Sequence, residues 1–389
     1  MRKFLITAFI LSFTFTLFLS AQDKQEVVHT INSEIFGKER QIKVFLPNRY
    51  NRDSIAKYPV TYILDAQHKI FWDAAKGNIG YLVDNYSVMP MIVVGVVSDN
   101  RGSEFNPSNP KLQEHLQKEV FPIVEANYRT DGFRAILGHS WGGAFVGNTL
   151  FSDKRDMFNA YIGISPSFGD TDNVIVKRAD SLLKLNTKFG KYLYFSYGDV
   201  GRREVEFAGY VNSIDSLLKR YPNKTLAFDR RPIERVGHWQ IVGPSICDGL
   251  ISMSRNYFAD QKVMQDLSYG TYDIKPFVDS FYLKQWKIFG YTHEPSAAYL
   301  NFVANDFRDL EQWDIALSVY KMALEKAETT VKIYVNICDV YDKMGRKDLA
   351  ESSFRKTKKL LEEQKSEVSK NYYRDVSEWI DEKLNSYKE

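Results

Sequence analysis

Short β-branched and aromatic runs alternate with longer helix-compatible stretches from Glu26 to about Leu267. Strands separated by the length of a helix pair in parallel, so this alternation predicts βαβ units around a mostly parallel sheet. Only a short turn separates the first two strands, which predicts an antiparallel hairpin ahead of the parallel part. The eight predicted strands are 27–35, 41–46, 60–64, 91–97, 134–137, 160–164, 192–197 and 225–232.

Past Tyr269 the composition changes to helix formers, and a repeat of 34 residues becomes visible. A small residue followed four positions later by an aromatic one, at this period, resembles the tetratricopeptide repeat, in which helix-turn-helix units stack. Stable arrays need at least three units, so 276–290 and 366–387 are predicted to add capping helices. A generic helical bundle is the alternative. The pairs at this offset are Ala304 and Cys338, Phe307 and Tyr341, Ala316 and Ala350, and Tyr320 and Phe354.

The first 21 residues have the pattern of a secretory signal peptide. Arg2 and Lys3 precede an apolar run, 4–19, and small residues at 20–21 lead into a polar stretch. An uncleaved membrane anchor is the alternative, because about 16 apolar or hydroxyl residues approach the length that spans a bilayer. We therefore predict a signal peptide, 1–21, an α/β domain, 22–268, and a helical domain, 269–389, in a periplasmic or secreted protein with no membrane contact after cleavage.

Composition limits the kinds of partner and cofactor that the protein is expected to bind. Lys and Arg number 52 against 49 Asp and Glu, and no basic run is interleaved with aromatics, which argues against nucleic acid. The two cysteines, Cys247 and Cys338, fall in different predicted domains and are expected to be buried free thiols. Neither a metal-ligand motif nor a Gly-rich phosphate loop is present, so we predict no metal and no cofactor.

One pentapeptide predicts a nucleophile. Gly138-His-Ser-Trp-Gly142 follows the apolar strand 134–137 and precedes the helix-compatible stretch 143–150. In a G-x-S-x-G turn between strand and helix, the sharp backbone exposes the serine hydroxyl, and the glycines avoid clashes there. Ser140 is therefore the candidate nucleophile. The alternative is a plain glycine-rich turn.

A serine nucleophile needs a base, and histidine has the suitable pKa. In proteins with a G-x-S-x-G turn of this kind, the nucleophile, the acid and the base follow one another in that order along the chain. His238, which comes just after the last predicted strand, is therefore the candidate base. Asp199, at the carboxyl end of strand 192–197, is the first choice for the acid that fixes the histidine tautomer. Glu204 and Glu206 remain alternatives, since a longer turn would bring either to the same place.

Several motifs together resemble the Putative esterase family of α/β-hydrolases, which includes siderophore, feruloyl and acetyl-xylan esterases, over residues 27–258. They are YPVTYILD (58–65), MIVVGVV (91–97), FPIVE (121–125), NYRT (127–130), GHSWGG (138–143), ISPS (164–167) and GH (237–238). An acyl intermediate needs two N–H donors for its oxyanion, and Trp141, the residue after the nucleophile, supplies one. The resemblance implies that Gln67 supplies the other. Ala66 departs from the family's usual glycine, and Trp141 is bulkier than the usual residue.

The resemblance also implies substrate contacts. Arg101 lies in a loop similar to that of the siderophore esterases and is predicted to bind an anionic or catecholate group, with an ion pair to Glu104 as the alternative. His139 and Trp239 are further substrate-binding candidates, and Phe71 and Trp72 are possible pocket walls.

The resulting prediction is an exported serine esterase with an acyl-enzyme intermediate. Its substrate would be a small siderophore-type ester or a glycan ester of the feruloyl or acetyl-xylan kind. A different class, a binding scaffold that presents the helical repeats to a partner, stays open. The helices could also cover the site or mediate self-association.

Overall fold

A computed structural model describes residues 26–48, 50, 57–85, 87–169, 173–257, 274–290, 297–326 and 330–387. The predicted signal peptide, 1–21, lies outside these residues. Within them, no helix has the length and apolar character needed to cross a membrane.

Within the described residues, eight strands form one sheet, and their spatial order is β1-β2-β4-β3-β5-β6-β7-β8. β1 pairs antiparallel with β2, and β2 pairs antiparallel with β4, whereas the other neighbours run parallel. The predicted hairpin and mostly parallel sheet are therefore confirmed. The strands are β1 (Glu26–Ser33), β2 (Lys38–Phe45), β3 (Tyr58–Ile63), β4 (Ile92–Val96), β5 (Thr130–His139), β6 (Ala160–Ile164), β7 (Lys191–Tyr197) and β8 (Leu226–Pro232).

Helices cover both faces of the sheet, which explains why its central strands are apolar throughout. In β5, Ala135 and Leu137 face one apolar layer, and Ile136 faces the other. The first layer packs against α1 and α8, and the second against α3 to α7. These helices are α1 (Lys69–Asp84), α2 (Arg101–Glu104), α3 (Lys111–His115), α4 (Phe121–Asn127), α5 (Trp141–Leu150), α6 (Val174–Lys184), α7 (Arg202–Arg220) and α8 (Val242–Tyr257), with a π turn at Leu116–Val120 and a 3-10 turn at Arg155–Met157.

The C-terminal region is helical, as predicted. Helix α10 packs on α11, α12 on α13, and α13 on α14, while α9 and α14 occupy the two segments expected to cap the repeats. The helices are α9 (Ile274–Phe289), α10 (Ala297–Asp309), α11 (Trp313–Lys326), α12 (Val331–Lys343), α13 (Lys347–Glu363) and α14 (Lys370–Ser386).

Residues at the 34-residue offset occupy equivalent places. Ala316 and Ala350 are both fully buried, as are Tyr320 and Phe354. The turns between the paired helices are also equivalent, because Glu311 has φ 60° and Gly345 has φ 69°. Glutamate adopts this left-handed conformation at a cost that glycine avoids.

The helical region contacts the α/β core beside the end of α8 and the start of β7. The ring of Phe289, at the end of α9, lies 4.4 Å from the ring of Tyr257 at the end of α8. Gly190, just before β7, lies beneath the backbone of Phe289. Because Gly190 precedes β7, this junction is at the amino ends of the parallel strands, and one apolar cluster runs through both regions. The contact made by Phe289 with the α/β core therefore lies at the opposite ends of the strands from the turn that contains Ser140.

Candidate active site

Ser140 lies in the turn between β5 and α5, with φ 60° and ψ −117°. This conformation is rare for a residue with a side chain and signals local strain. A Cβ on Gly138 would lie 2.4 Å from the backbone of Gly142, and one on Gly143 would lie 3.0 Å from the carbonyl oxygen of Ile164. The glycines therefore allow the chain to turn this tightly, and Ser140 is left partly exposed.

His238 follows β8 and contacts Glu204 in the first turn of α7. Its Nδ1 lies 2.8 Å from Glu204 Oε1, and the two side chains are almost fully buried. A carboxylate at Nδ1 fixes the tautomer that leaves Nε2 available as a proton acceptor. This pair has the geometry of a base and its orienting acid.

The surroundings of Glu204 keep its carboxylate charged. The Gly198 N–H donates to Oε2 at 2.6 Å, and the Ser165 hydroxyl donates to the same oxygen at 2.8 Å. Burial acts to raise the pKa of Glu204, but the hydrogen bonds from His238, Gly198 and Ser165 outweigh it and hold the pKa below its usual value. Ser165 was not singled out from the sequence, although it lies within the ISPS motif.

Asp199, the first choice for the acid, lies elsewhere. Its side chain is exposed, and its backbone N–H donates to the carbonyl of Val236. A Cβ on Gly198 would lie only 2.3 Å from that carbonyl oxygen. The strand end is thus held so closely against the 236–238 loop that Glu204, on the following helix, points at His238 and Asp199 points outward.

His139 supports the His238 loop. Its Nε2–H donates to the His238 carbonyl at 2.8 Å, and the two rings are 4.4 Å apart. Only 3% of His139 is exposed, and burial together with neighbouring His238 lowers its pKa to about 3. His139, predicted to contact substrate, is instead a neutral buried group, and its hydrogen bond holds the His238 loop beside the turn that contains Ser140.

The loop after β3 carries Gln67, the predicted second oxyanion donor. The Ala66 N–H donates to the Val96 carbonyl, and Lys43 Nζ donates to the Ala66 carbonyl at 2.9 Å. Ala66 is fully buried, and a Cβ on Gly95 would lie 2.7 Å from its methyl group. The departure from glycine at Ala66 is therefore accommodated by Gly95 on the neighbouring strand.

Arg101 does not pair with Glu104. Its Nε and Nη2 donate to the two carboxylate oxygens of Asp65, each at 2.9 Å. Glu104 instead accepts two bonds of 2.8 Å from the guanidinium of Arg40, whose side chain is fully buried. The alternative role predicted for Arg101, an ion pair with Glu104, is therefore wrong, because Arg101 pairs with Asp65.

The aromatic side chains near the site differ in how far they are exposed. Trp239 is 73% exposed and Trp141 is 37% exposed, so both are available to an incoming molecule. The ring of Phe71 is stacked on that of His139, with 6.4 Å between the ring centres. Trp72 is only 1% exposed and lies in the core, so its prediction as a pocket wall is wrong. Among the residues that the structure describes, no group of three or more acidic, His or Cys side chains is placed to hold a metal ion.

Sequence comparison bears directly on this site. Residues 33–204, which contain β2 to β7, Ser140 and Glu204, match the sequence profile of the Putative esterase family. The family resemblance is confirmed. It supports the predicted class of carboxylic ester hydrolase. Ferri-bacillibactin esterase BesA of Bacillus subtilis is 27% identical over 181 residues, which are 39% of this chain and 62% of that protein. The chain thus matches under two thirds of this relative's length.

Solved structures share the fold. An IroE-like serine hydrolase from Shewanella oneidensis aligns with a TM-score of 0.64 at 19% identity, over 77% of this chain and 99% of its own. An uncharacterised protein from Capnocytophaga ochracea aligns with a TM-score of 0.63 at 13% identity, over 94% of this chain and 99% of its own. The siderophore hydrolase EstB of Aspergillus nidulans has a TM-score of 0.52 at 18% identity, over 60% and 96%. These likenesses confirm the α/β-hydrolase fold, and the second extends into the C-terminal helices.

Proposed function

We propose that this protein is an exported serine esterase that cleaves a carboxylic ester through an acyl-enzyme on Ser140. The observation that carries the proposal is the 2.8 Å hydrogen bond between His238 and the buried Glu204, on a loop held against the strained turn of Ser140. In addition, residues 33–204 of the chain match an esterase family. Ser140, His238 and Glu204 would be the catalytic triad.

In the first half-reaction, His238 Nε2 takes the hydroxyl proton as Ser140 Oγ attacks the ester carbonyl carbon. The carbonyl oxygen becomes an oxyanion, and the backbone N–H groups of Trp141 and Gln67 are proposed to stabilise it. When the tetrahedral intermediate collapses, the bond to the alcohol oxygen breaks, and His238 returns the proton to that oxygen. The alcohol leaves and an acyl-Ser140 ester remains.

In the second half-reaction, water attacks the acyl carbon while His238 accepts one of its protons. Collapse of this intermediate releases the carboxylic acid and returns the proton to Ser140 Oγ. In both steps the ionised carboxylate of Glu204 stabilises the imidazolium that forms. The low pKa of Glu204 suits that role, because the group stays charged throughout the neutral range.

For the substrate, we propose a small ester of the siderophore type. The support is the similarity to a protein named ferri-bacillibactin esterase and the two exposed indoles, Trp141 and Trp239, which suit an aromatic acyl group. A carbohydrate ester with a hydroxycinnamoyl group would present the same chemistry to these side chains. Export is proposed from the N-terminal sequence pattern, and the tetratricopeptide-like helices, 269–389, are proposed to bind a protein partner or a second copy.

The test uses the mature chain, 22–389, and its Ser140→Ala variant. We expect hydrolysis of p-nitrophenyl acetate, a feruloyl ester and a catecholate siderophore to be lost in the variant, together with covalent labelling by a fluorophosphonate. The fastest substrate identifies the class. An unlabelled and inactive wild-type protein would refute the esterase and favour the binding scaffold.

A further inference from the structure

The guanidinium of Arg101 lies between the two backbone segments that carry the proposed oxyanion donors. We propose that Arg101 is a positioning residue that fixes these segments relative to each other, rather than an anchor for an anionic substrate. The inference rests on the proposed esterase function and specifies how its oxyanion site is held.

On one side, Arg101 orients the loop of Gln67. Its two bonds to Asp65 hold a residue whose φ is 64°, a conformation that side-chain-bearing residues adopt only under constraint. The Gln67 side chain donates to the same Asp65 carboxylate at 2.9 Å and accepts a 2.9 Å bond from the Ser98 N–H. The direction of the Gln67 backbone therefore depends on the position of the Asp65 carboxylate.

On the other side, Arg101 contacts the turn that contains Ser140. Its Nη2 lies 3.4 Å from the His139 carbonyl, and its guanidinium carbon lies 5.2 Å from the centre of a Trp141 ring. The next residue, Gly102, lies so close to the Trp141 indole that an added Cβ would be 3.2 Å from it. The α2 turn thus packs directly on the residue whose N–H is the other proposed donor.

The base of Arg101 is rigid because the rest of α2 is anchored in the core. Glu104 closes this turn, and besides the guanidinium of Arg40 it accepts bonds from the Ser98 hydroxyl and from the N–H groups of Asp99 and Asn100. Hydrogen bonds lower the pKa of Glu104 against the opposing effect of burial, so its charge persists. A fixed turn allows a long arginine side chain to act as a spacer between two loops.

This arrangement is unsuited to capturing an anion. The fork of Arg101 is already satisfied by a carboxylate, Asp65, whose side chain is 5% exposed. A substrate anion would have to displace this bidentate partner or accept a position beside a negative charge. Fixed geometry of the two loops, in contrast, benefits every ester, because oxyanion stabilisation requires donors that are positioned before the reaction begins.

The test measures kcat and KM for p-nitrophenyl acetate, a neutral ester with nothing for Arg101 to bind. We expect Arg101→Gln to lower kcat roughly 10- to 100-fold with KM nearly unchanged, since losing a whole oxyanion donor costs about 10² to 10³ in kcat. Asp65→Asn should have a similar effect, and the double variant should be no worse than the more impaired single one. Arg101→Lys, which keeps the charge but lacks the fork, should remain impaired.

The matched control is Arg374→Gln, which breaks an exposed Arg374–Asp375 pair in α14 and should leave kcat unchanged. The rate of labelling by a fluorophosphonate should fall in parallel with kcat in the Arg101 variants, at a temperature below their measured melting points. Wild-type kcat in Arg101→Gln, combined with a raised KM for an anionic ester only, would overturn the inference and restore the substrate-anchor role. Absence of labelling in the wild-type protein would instead refute the proposed function itself.

Discussion

The carboxylate of Glu204 is buried and accepts hydrogen bonds from three donors, of which His238 is the one with chemistry to perform. We predict that Glu204→Gln lowers kcat for p-nitrophenyl acetate by about 10³ to 10⁴, because a neutral amide neither fixes the histidine tautomer nor stabilises the imidazolium. Steady-state kinetics of the purified variant is the measurement, and the rate of fluorophosphonate labelling should fall with kcat, because labelling also requires His238 to activate Ser140.

Asp199→Asn is the matched control for that experiment. The exposed side chain of Asp199 should be replaceable with a change in kcat of about twofold or less, since surface substitutions away from the site rarely matter. Equal losses in the two variants, or a larger loss at Asp199, would contradict the assignment of Glu204.

Because His139 is buried, we expect the free energy of unfolding to fall at acidic pH. Burial lowers the pKa of His139 to about 3 from the ordinary histidine value of about 6.5, so the unfolded chain binds a proton more readily than the folded one. The stabilising contribution is therefore complete above pH 6.5 and is lost as the pH falls toward 3, by up to about 1.4 kcal/mol per pH unit. We expect His139→Gln to reduce this slope in urea unfolding measured at several pH values. Parallel slopes for the two proteins would contradict the expectation.

At the residue scale, the sequence selects Ser140 and His238 as candidates but leaves the acid open among Asp199, Glu204 and Glu206. The serine is marked by its flanking glycines, and the histidine by its place after the last strand. The acid that we propose, Glu204, depends instead on how the chain leaves β7, where Gly198 closely approaches the Val236 carbonyl. That contact joins residues from different segments and has no signature in the local sequence.

At the scale of elements, the two left-handed turn positions in the helical region offer a direct test of their equivalence. Gly345→Ala should lower the free energy of unfolding by about 1 to 2 kcal/mol, because alanine at φ 69° is strained. Glu311→Gly should raise it or leave it unchanged, since the glutamate already carries that cost at φ 60°. Chemical denaturation of both variants is the measurement, and a stabilised Gly345→Ala protein would contradict the prediction.

The central strands β3, β4 and β6 could be predicted because each is a short apolar run, and burial on both faces demands that composition. The outer strands β1 and β2 mix polar and apolar residues and are predicted from their β-branched content and the short turn between them. The strand ends were less predictable. β5 begins at Thr130 rather than 134, because Thr130 pairs with Tyr58 of β3, ahead of a register irregularity after which Arg134 pairs with Val60. Pairing partners at a strand end, rather than hydrophobicity, set that boundary.

At the scale of the whole molecule, the apolar cluster shared by α8 and α9 couples the α/β core to the helices. We predict that Phe289→Ala destabilises both regions together, by about 3 to 5 kcal/mol, because a buried ring packed against Tyr257 is removed. Thermal loss of esterase activity and of far-ultraviolet circular dichroism should coincide at a lowered temperature. Leu310→Ala, at an exposed position of the helical region, is the control.

Activity that persists after the helical signal has melted would contradict this coupling. The sequence predicts two regions from the change in composition near 269, yet it carries no sign of how they pack. The contact depends on Tyr257, Phe289 and the bare backbone at Gly190, which are far apart in sequence and ordinary in type.

The two ends of strand β7 contact different parts of the protein. Its amino end lies against the helical region, and its carboxyl end leads to Gly198 and the proposed catalytic residues. Seven residues of strand extend over about 23 Å. A partner held by the helices at the first end would therefore leave the second end open to diffusing esters, so the protein could be tethered in one place and still turn over substrate there.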